Sequence, residues 1–262
     1  MDQLPNLGRE QEMLDIMGVS SMKDLFEDIP VEIRSEGTLP LPPPQTEEEI
    51  LRDAERLLGA NVNLDSRPSF ISAGLARNFV PSMVPMIATR GEFLTSYTPY
   101  QPEVSQGMLQ AMWEFQTMIS ELVGLPISNV SMYDASTSAA EAITCAVRVK
   151  SKKVEMPNTV YVSELVPPHR MSVIENYTQG VGIEIRKIPH DEDGFLDLNL
   201  AAEASGSCAI YVEQPNAFGI LDEGLLRLRE VVGDKTAIIV GVDVTSLGIV
   251  EPPGNWGADI VV

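Results

Sequence analysis

One stretch of this chain gathers aromatic, amide and carboxylate side chains that could contact a ligand or a partner. It reads Thr95-Ser-Tyr-Thr-Pro-Tyr-Gln-Pro-Glu-Val-Ser-Gln-Gly107, and we call residues 95–107 the lip. Pro99 and Pro102 fix their own φ angles and favour extended backbone in the residue before each of them. A stiff loop that carries such side chains is typical of segments that present them for binding.

A second group of polar residues could hold a phosphate. Asp134-Ala-Ser-Thr-Ser138 precedes a predicted helix that runs through Arg148. The free amides at a helix start, flanked by the hydroxyls of Ser136, Thr137 and Ser138, could form a phosphate cup. The alternative is that the hydroxyls only cap the helix, and the residues alone favour this alternative.

A carboxylate follows a predicted buried strand. Asp243 comes directly after the apolar run 236–242, and Glu213-Gln-Pro-Asn216 ends the preceding strand. Groups at the carboxyl ends of parallel strands face the ligand crevice of an open α/β sheet. Asp243 could therefore keep a heterocyclic nitrogen protonated, although an aspartate in a turn or cap fits this position equally well.

Several kinds of site lack the residues that they need. The sequence contains no GxGxxG and no GxxxxGK[ST] motif, which removes the usual signals of a dinucleotide site and a P-loop. Its two cysteines, Cys145 and Cys208, and two histidines, His169 and His190, have no metal-ligand spacing. We therefore predict no metal site and no Ser-His-Asp triad.

The charge and hydropathy of the 262-residue chain argue against two classes of partner, nucleic acids and membranes. A net charge of −20 disfavours nucleic acid, whose phosphates would be repelled. No apolar run approaches the roughly 18 residues of a membrane span, and the N-terminus lacks the pattern of a secretory signal. The expected location is the cytoplasm, with no membrane contact.

Residues 1–60 are predicted to form a helical N-terminal appendage. Two short helices are expected from Gly8 to Met17 and from Ser21 to Asp28, followed by the extended connector Pro40-Leu-Pro-Pro-Pro44. Thr46 is a natural N-cap with Glu49 at the capping-box position, and Gly59 ends the resulting helix.

Residues 61–262 are predicted to form an α/β domain with a mainly parallel sheet. Apolar residues at helical spacing predict a helix that ends at Gly124, with Met108, Met112, Phe115, Ile119 and Leu122 on one face. Strands are predicted at 159–162, 183–188, 209–212 and 236–240, with helices from Pro168 and from Asp222 between them. A last strand at 257–262 has no return helix, so we expect a fragment that is incomplete at its C-terminus.

The chain resembles glycine dehydrogenase (decarboxylating), the P-protein of the glycine cleavage system. Within that family it is similar to subunit 1, the N-terminal-half or α subunit. The resemblance covers the chain in order, and its most specific part is the lip string. The other matching segments are Phe115-Gln-Thr-Met118, Asn129-Val-Ser-Met-Tyr-Asp134 with Ala-Ser-Thr-Ser-Ala-Ala-Glu141, Glu213-Gln-Pro-Asn216 and Asp243-Val-Thr-Ser-Leu-Gly248.

The resemblance implies an α/β fold, namely the large domain of the pyridoxal-phosphate (PLP)-dependent transferases of fold type I, which are aspartate aminotransferase-like. By the family pattern, Ser136, Thr137 and Ser138 match the phosphate cup and Asp243 matches the partner of the pyridine nitrogen, either as contacts or as relics kept for folding. The Schiff-base lysine belongs to the partner subunit in this family, and no lysine of this sequence follows Asp243. The counterpart of the lip lies near the subunit interface, which makes the following residues candidates for lining a shared site or docking surface: Tyr97, Thr98, Tyr100, Gln101, Glu103 and Gln106.

The implied reaction is the PLP-dependent oxidative decarboxylation of glycine, with transfer of the aminomethyl group to the lipoyl arm of the carrier H-protein. The implied partners are subunit 2, with two copies of each subunit, the H-protein and the substrate glycine. Two other hypotheses stay open. One is a structural or regulatory pseudo-enzyme that stabilises its partner, and the other is an independent PLP-dependent aminotransferase or decarboxylase.

Overall fold

The computed structural model describes residues 6–35, 37, 39–64, 67–70, 77–94, 97–153 and 157–262, without the side chains of 151–153. The chain divides into two compact units, residues 1–69 and residues 70–262. The domain boundary expected near residue 60 stays a prediction. Within the described ranges, no helix has the length and apolar character needed to cross a membrane.

In the described part of the first unit, the α-helices are α1 (Glu10–Met17) and α2 (Glu47–Leu58). The capping box of α2 is confirmed, since Thr46 Oγ1 accepts from the Glu49 amide and the Glu49 carboxylate accepts from the Thr46 amide. The helix expected from Ser21 to Asp28 is instead a 3-10 helix over Met22–Phe26, followed by a 3-10 turn over Val31–Ile33.

The second unit alternates helices with strands. Its longer helices are α5 (Gln106–Val123), α6 (Ala135–Lys153) and α7 (Pro168–Gln179). Its shorter ones are α3 (Met83–Ala88), α4 (Gly91–Leu94), α8 (Leu198–Ala201) and α9 (Leu228–Val232). Short 3-10 segments lie at Pro102–Val104, Ala202–Ala204, Glu223–Arg227, Val244–Gly248 and Pro253–Trp256.

The predicted parallel sheet is confirmed in the second unit. Its strands are β1 (Thr159–Ser163), β2 (Glu184–Ile188), β3 (Ala209–Gln214), β4 (Ala237–Val242) and β5 (Ile260–Val261). They lie in the order β2-β1-β3-β4-β5, and every pairing is parallel. All carboxyl ends therefore meet at one edge, and the chain changes its direction of travel across the sheet between β1 and β3.

Both faces of the sheet are covered, as its apolar, β-branched strands predict. One face packs on α6 and α7, through residues such as Ile143, Ile174 and Ile239. The other packs on α8, α9 and the 3-10 segment at Glu223–Arg227, where Leu225, Leu228 and Val232 are buried. Leu226, in the same segment, is exposed. The result is a three-layer α/β/α unit, in which the loops that follow the strands lie at the carboxyl edge of the sheet.

The apolar face predicted for α5 is only partly covered, with Met108, Met112 and Ile119 half-buried. The helix and its end at Gly124 (φ 73°) are as expected, but Val123 is its only buried residue. Phe115 and Leu122 are exposed, as is Met118 beside them on the same side of the helix. Periodicity marks which face of a helix is apolar, but not whether another element of the chain covers it.

A close backbone approach holds the end of α5 against the 3-10 segment before β5. A Cβ on Gly254 would collide with the carbonyl oxygen of Gly124 and would lie 2.9 Å from that of Val123, so the backbone would have to move. We expect Gly254→Ala to lower the free energy of unfolding by about 1–3 kcal/mol, the usual cost of overpacking. Urea denaturation monitored by circular dichroism measures this loss.

Gly248→Ala is the matched control, since a Cβ on Gly248 would meet nothing within 4 Å. Equal stability of the two variants would contradict the close approach.

Candidate functional site

The carboxyl edge of the sheet is where this architecture can hold a ligand. Open parallel sheets bind ligands outside the carboxyl ends of their strands, at the point where the strand order reverses. In this chain that point lies between β1 and β3. The loops that follow Ser163 and Gln214, together with Asp243 after β4, therefore surround the expected crevice.

The start of α6 is capped by Asp134. Asp134 Oδ1 accepts hydrogen bonds from the amides of Ser136 (2.8 Å) and Thr137 (3.0 Å). The Thr137 hydroxyl donates to Asp134 Oδ2 (2.8 Å), and the Ser138 hydroxyl donates to the Asp134 carbonyl oxygen (2.7 Å). The amides of Ser136 and Thr137 and the hydroxyls of Thr137 and Ser138 are thus already engaged, mainly by a carboxylate of the chain itself.

Asp243 likewise serves as a cap. Its Oδ1 accepts from the amide (2.9 Å) and the hydroxyl (2.6 Å) of Thr245, at the start of the 3-10 helix Val244–Gly248. The side chain is at the expected edge and exposed, but this oxygen is committed to the local turn.

The segment after β3 supports neighbouring loops. Gln214 exchanges two hydrogen bonds with the backbone of Asp222, and Asn216 Nδ2 donates to the Gly194 carbonyl oxygen (2.9 Å). Asn216 Oδ1 accepts from the amides of Phe218 and Ile220. These buried amide side chains therefore fix the loops around the carboxyl edge.

The structure reveals a charged cluster that the sequence analysis missed. Arg170, in the first turn of α7, pairs with Glu213 at 2.6 Å between Nη1 and Oε1. The hydroxyl of the fully buried Tyr211 donates to the same oxygen at 2.9 Å. The Arg170 side chain is 19% exposed and that of Glu213 only 6%. Because α7 follows β1 and Glu213 lies on β3, this pair spans the point where the strand order reverses.

Burial governs the protonation of this cluster. Desolvation raises the pKa of Glu213, and the positive charge and hydrogen bond of Arg170 oppose that rise. Desolvation, followed by the neighbouring Glu213 charge, raises the pKa of Tyr211 well above its usual range. Gly241, which pairs in register with Glu213, leaves the space that the cluster fills, because a Cβ there would lie 2.5 Å from the Tyr211 hydroxyl oxygen.

A pairing such as Arg170 with Glu213 is hard to find from sequence. The two residues are 43 positions apart and meet only because β1 and β3 are neighbours. The available signal was a glutamate at the end of an otherwise apolar strand, since such a residue needs a buried cation nearby.

The lip projects most of its candidate side chains into solvent. Tyr97 is fully exposed, Tyr100 is 87% exposed, and Thr98, Gln101 and Glu103 are exposed as well. Thr95 and Ser96 lie outside the described residues. Large aromatic side chains on a stiff loop are the kind of groups that anchor binding surfaces.

Local hydrogen bonds hold the backbone of the lip. The buried Ser105 hydroxyl donates to the Gln101 carbonyl oxygen at 2.6 Å, and the Gln106 side-chain amide donates to the Pro102 carbonyl oxygen. Gln106 therefore shapes the lip, whereas the two tyrosines are displayed by it.

A cavity of about 630 Å³ lies beside the loops after β2 and β3, and Asp191, Asp197, Asp222 and Glu223 are among its lining residues. Three of these carboxylates already accept backbone amides, Asp191 from Phe195, Asp197 from Asn199, and Asp222 from Leu196 and Gly224. Among the described residues, no group of histidine, cysteine or acidic side chains could hold a metal ion. The cavity contains none of the predicted site residues.

Comparison with known proteins decides the family. The sequence model of the Glycine cleavage system P-protein family matches residues 5–262. The chain belongs to the P-protein family. A curated relative from Thermococcus kodakarensis, named "Probable glycine dehydrogenase (decarboxylating) subunit 1", is 44% identical over 261 residues. The alignment covers 99% of this P-protein chain and 56% of that relative, so the chain spans little more than half the length of the relative.

Solved structures confirm the fold class. A crystal structure of glycine decarboxylase, the P-protein of the glycine cleavage system, in inhibitor-bound form matches with a TM-score of 0.82 and 39% identity. That match covers 100% of this chain and 57% of the solved one. Mouse CSAD matches with a TM-score of 0.55 and 16% identity over 87% of this chain and 50% of its own, a likeness of fold alone. The predicted fold-type-I architecture of PLP-dependent enzymes is therefore confirmed.

The residues of this P-protein chain do not fit PLP. The cofactor of this fold needs free donors for its phosphate, whereas the amides of Ser136 and Thr137 already bind a carboxylate. The crevice at the reversal of strand order is spanned by the ion pair of Arg170 and Glu213. The fold is thus that of a PLP enzyme, while the amides of Ser136 and Thr137, predicted to hold its phosphate, bond to a carboxylate of the chain itself.

Proposed function

We propose that this chain belongs to subunit 1, the N-terminal-half (α) subunit, of glycine dehydrogenase (decarboxylating). In this proposal it acts with subunit 2, two copies of each, in the oxidative decarboxylation of glycine. The aminomethyl group that remains passes to the lipoyl group of the carrier H-protein. The single observation that carries the assignment is the display of Tyr97 and Tyr100 on a braced lip, in a chain 44% identical to a subunit 1.

The roles that we propose for the two subunits follow from which side chains of this chain are free to contact a ligand. PLP supplies the electron sink for loss of CO2 when it is bound, and we place it on subunit 2, together with its lysine. The contribution of this chain is the lip, whose aromatic rings can exclude water from a shared pocket and orient a bound amino acid. Positioning of this kind accounts for large rate factors without any covalent role.

The second candidate function is a pseudo-enzyme subunit that stabilises its partner. The occupied cup amides at α6 and the local bond of Gln106 Nε2 favour it, because these donors are already engaged within the chain. The two proposals differ in what the lip does once the complex has formed.

Reconstitution tests the proposed function. The full-length protein, subunit 2 and H-protein are assayed singly and together for exchange of labelled CO2 into the carboxyl group of glycine. We expect exchange only when both subunits are present. Full exchange by subunit 2 with H-protein alone would contradict a catalytic contribution of this chain, and exchange by this chain alone would favour an independent PLP enzyme.

A further inference from the structure

The cup at the start of α6 has the features of an anion site and already contains an anion. Two amides and one hydroxyl converge on the Asp134 carboxylate, with distances of 2.8 to 3.0 Å. The first amides of an α-helix have no partner within the helix, and the helix dipole adds positive potential at this end. In this chain the Asp134 carboxylate, two residues before Ser136, neutralises that positive potential.

The charge of this carboxylate is stabilised where it lies. The backbone and side-chain hydrogen bonds from Thr137 lower the pKa of Asp134, and the Ser136 amide and the positive charge of Arg170 contribute further. Asp134 is therefore ionised at neutral pH. A phosphate entering the cup would meet a negative charge and would have to displace every one of these hydrogen bonds.

We infer that Asp134 is a resident anion that closes the cup of this chain to phosphate, and thereby to PLP. The inference rests on the proposed function, in which subunit 2 binds PLP. In this chain, Asp134 is then the residue that prevents PLP from binding at the start of α6. A neutral side chain at position 134 is then the change that would reopen the cup.

Asp134→Ser in the full-length protein is the informative variant. Serine is as good an N-cap as aspartate, so the helix keeps its start, but the charge and the carboxylate that accepts all three hydrogen bonds are lost. Inorganic phosphate is the probe, and isothermal titration calorimetry measures its dissociation constant at neutral pH. We expect phosphate to bind Asp134→Ser more tightly than the wild type on the order of tenfold to a hundredfold, as expected for one charge-assisted hydrogen bond.

Asp197→Ser is the matched control. Asp197 caps α8 in the same manner, with its Oδ1 accepting from the amides of Asn199 and Leu200, but α8 has only four residues. The control removes the same charge and the same type of cap, and we expect it to bind phosphate no better than the wild type. An equal gain in both variants would mean that net charge alone is responsible, and this would overturn the inference. So would the absence of any gain in Asp134→Ser.

A measurement on the wild type covers the case in which the variant does not fold. With 15N-threonine labelling, the Thr137 amide resonance should stay in place when phosphate is added at neutral pH. A saturable shift of that resonance would show an open cup and would overturn the inference. Failure of the proposed function has a different signature, which is covalent PLP on the wild-type chain itself.

Discussion

In the intact two-subunit complex, replacing Tyr97 and Tyr100 together by alanine should lower glycine turnover about a hundredfold, the loss expected when a reactant is poorly positioned. The two rings are displayed by a loop whose backbone is braced by Ser105 and Gln106, so their removal changes the displayed surface and leaves the brace intact. Labelled CO2 exchange measures turnover, and native mass spectrometry reports whether the complex is intact.

Tyr177→Ala is the control for this double substitution. Tyr177 is also exposed, but it lies near the end of α7, which runs from the carboxyl edge of the sheet back to its amino edge. Its loss should leave both turnover and assembly unchanged. If the lip variant dissociates, the lip is a docking surface. If it keeps full turnover in an intact complex, the lip has neither of its proposed roles.

Arg170→Ala should destabilise the protein by about 3 kcal/mol, at the low end of the range for breaking a buried ion pair because Arg170 remains 19% exposed. The loss arises from Glu213, which would keep its buried charge without a cation. Urea denaturation of the full-length protein measures the effect. Arg52→Ala, which removes an exposed ion pair with Glu48, is the control and should change stability little.

The same variant should become more sensitive to rising pH. Burial already raises the pKa of Glu213, and loss of Arg170 removes the charge that opposes this rise. A carboxyl group whose pKa is raised by folding binds more protons in the native state than in the unfolded state. Its contribution to stability is therefore present at acid pH and is lost as pH increases through the folded pKa. The difference between variant and wild type should shrink in acid.

A rescue variant tests whether the unpaired charge is the cause. When Arg170→Met is combined with Glu213→Gln, neither position carries a charge, and the introduced amide oxygen can still accept the Tyr211 hydroxyl. We expect most of the lost stability to return, since replacing both partners of a buried pair is often nearly neutral. A double variant as unstable as Arg170→Ala would show that packing, and not charge, sets the loss.

The architecture of the second unit could be predicted because its signals are local. Strands β1, β3 and β4 are short apolar runs with β-branched residues, and Pro168, Gly124 and Gly180 mark helix ends. The burial of α5 could not be predicted in this way, because an apolar stripe does not specify what covers it. Phe115, Met118 and Leu122 show the difference between the pattern and the outcome.

The candidate site was harder to predict than the fold. At α6, the sequence pattern indicates the hydroxyls of Ser136 to Ser138, but Asp134 is the stronger cap because one carboxylate accepts from two amides and a hydroxyl at once. The pairing of Arg170 with Glu213 depends on strand order, which local patterns do not contain. The lip was found by composition, but its role depends on a surface outside this chain.

The central claim is that this chain completes a pocket whose reactive lysine is on another polypeptide. Borohydride reduction of the active complex of full-length protein with subunit 2, followed by peptide mapping, tests it most directly. We predict that the pyridoxyl label is found on a lysine of subunit 2 and on no lysine of this chain. A label on a lysine of this chain would contradict the claim.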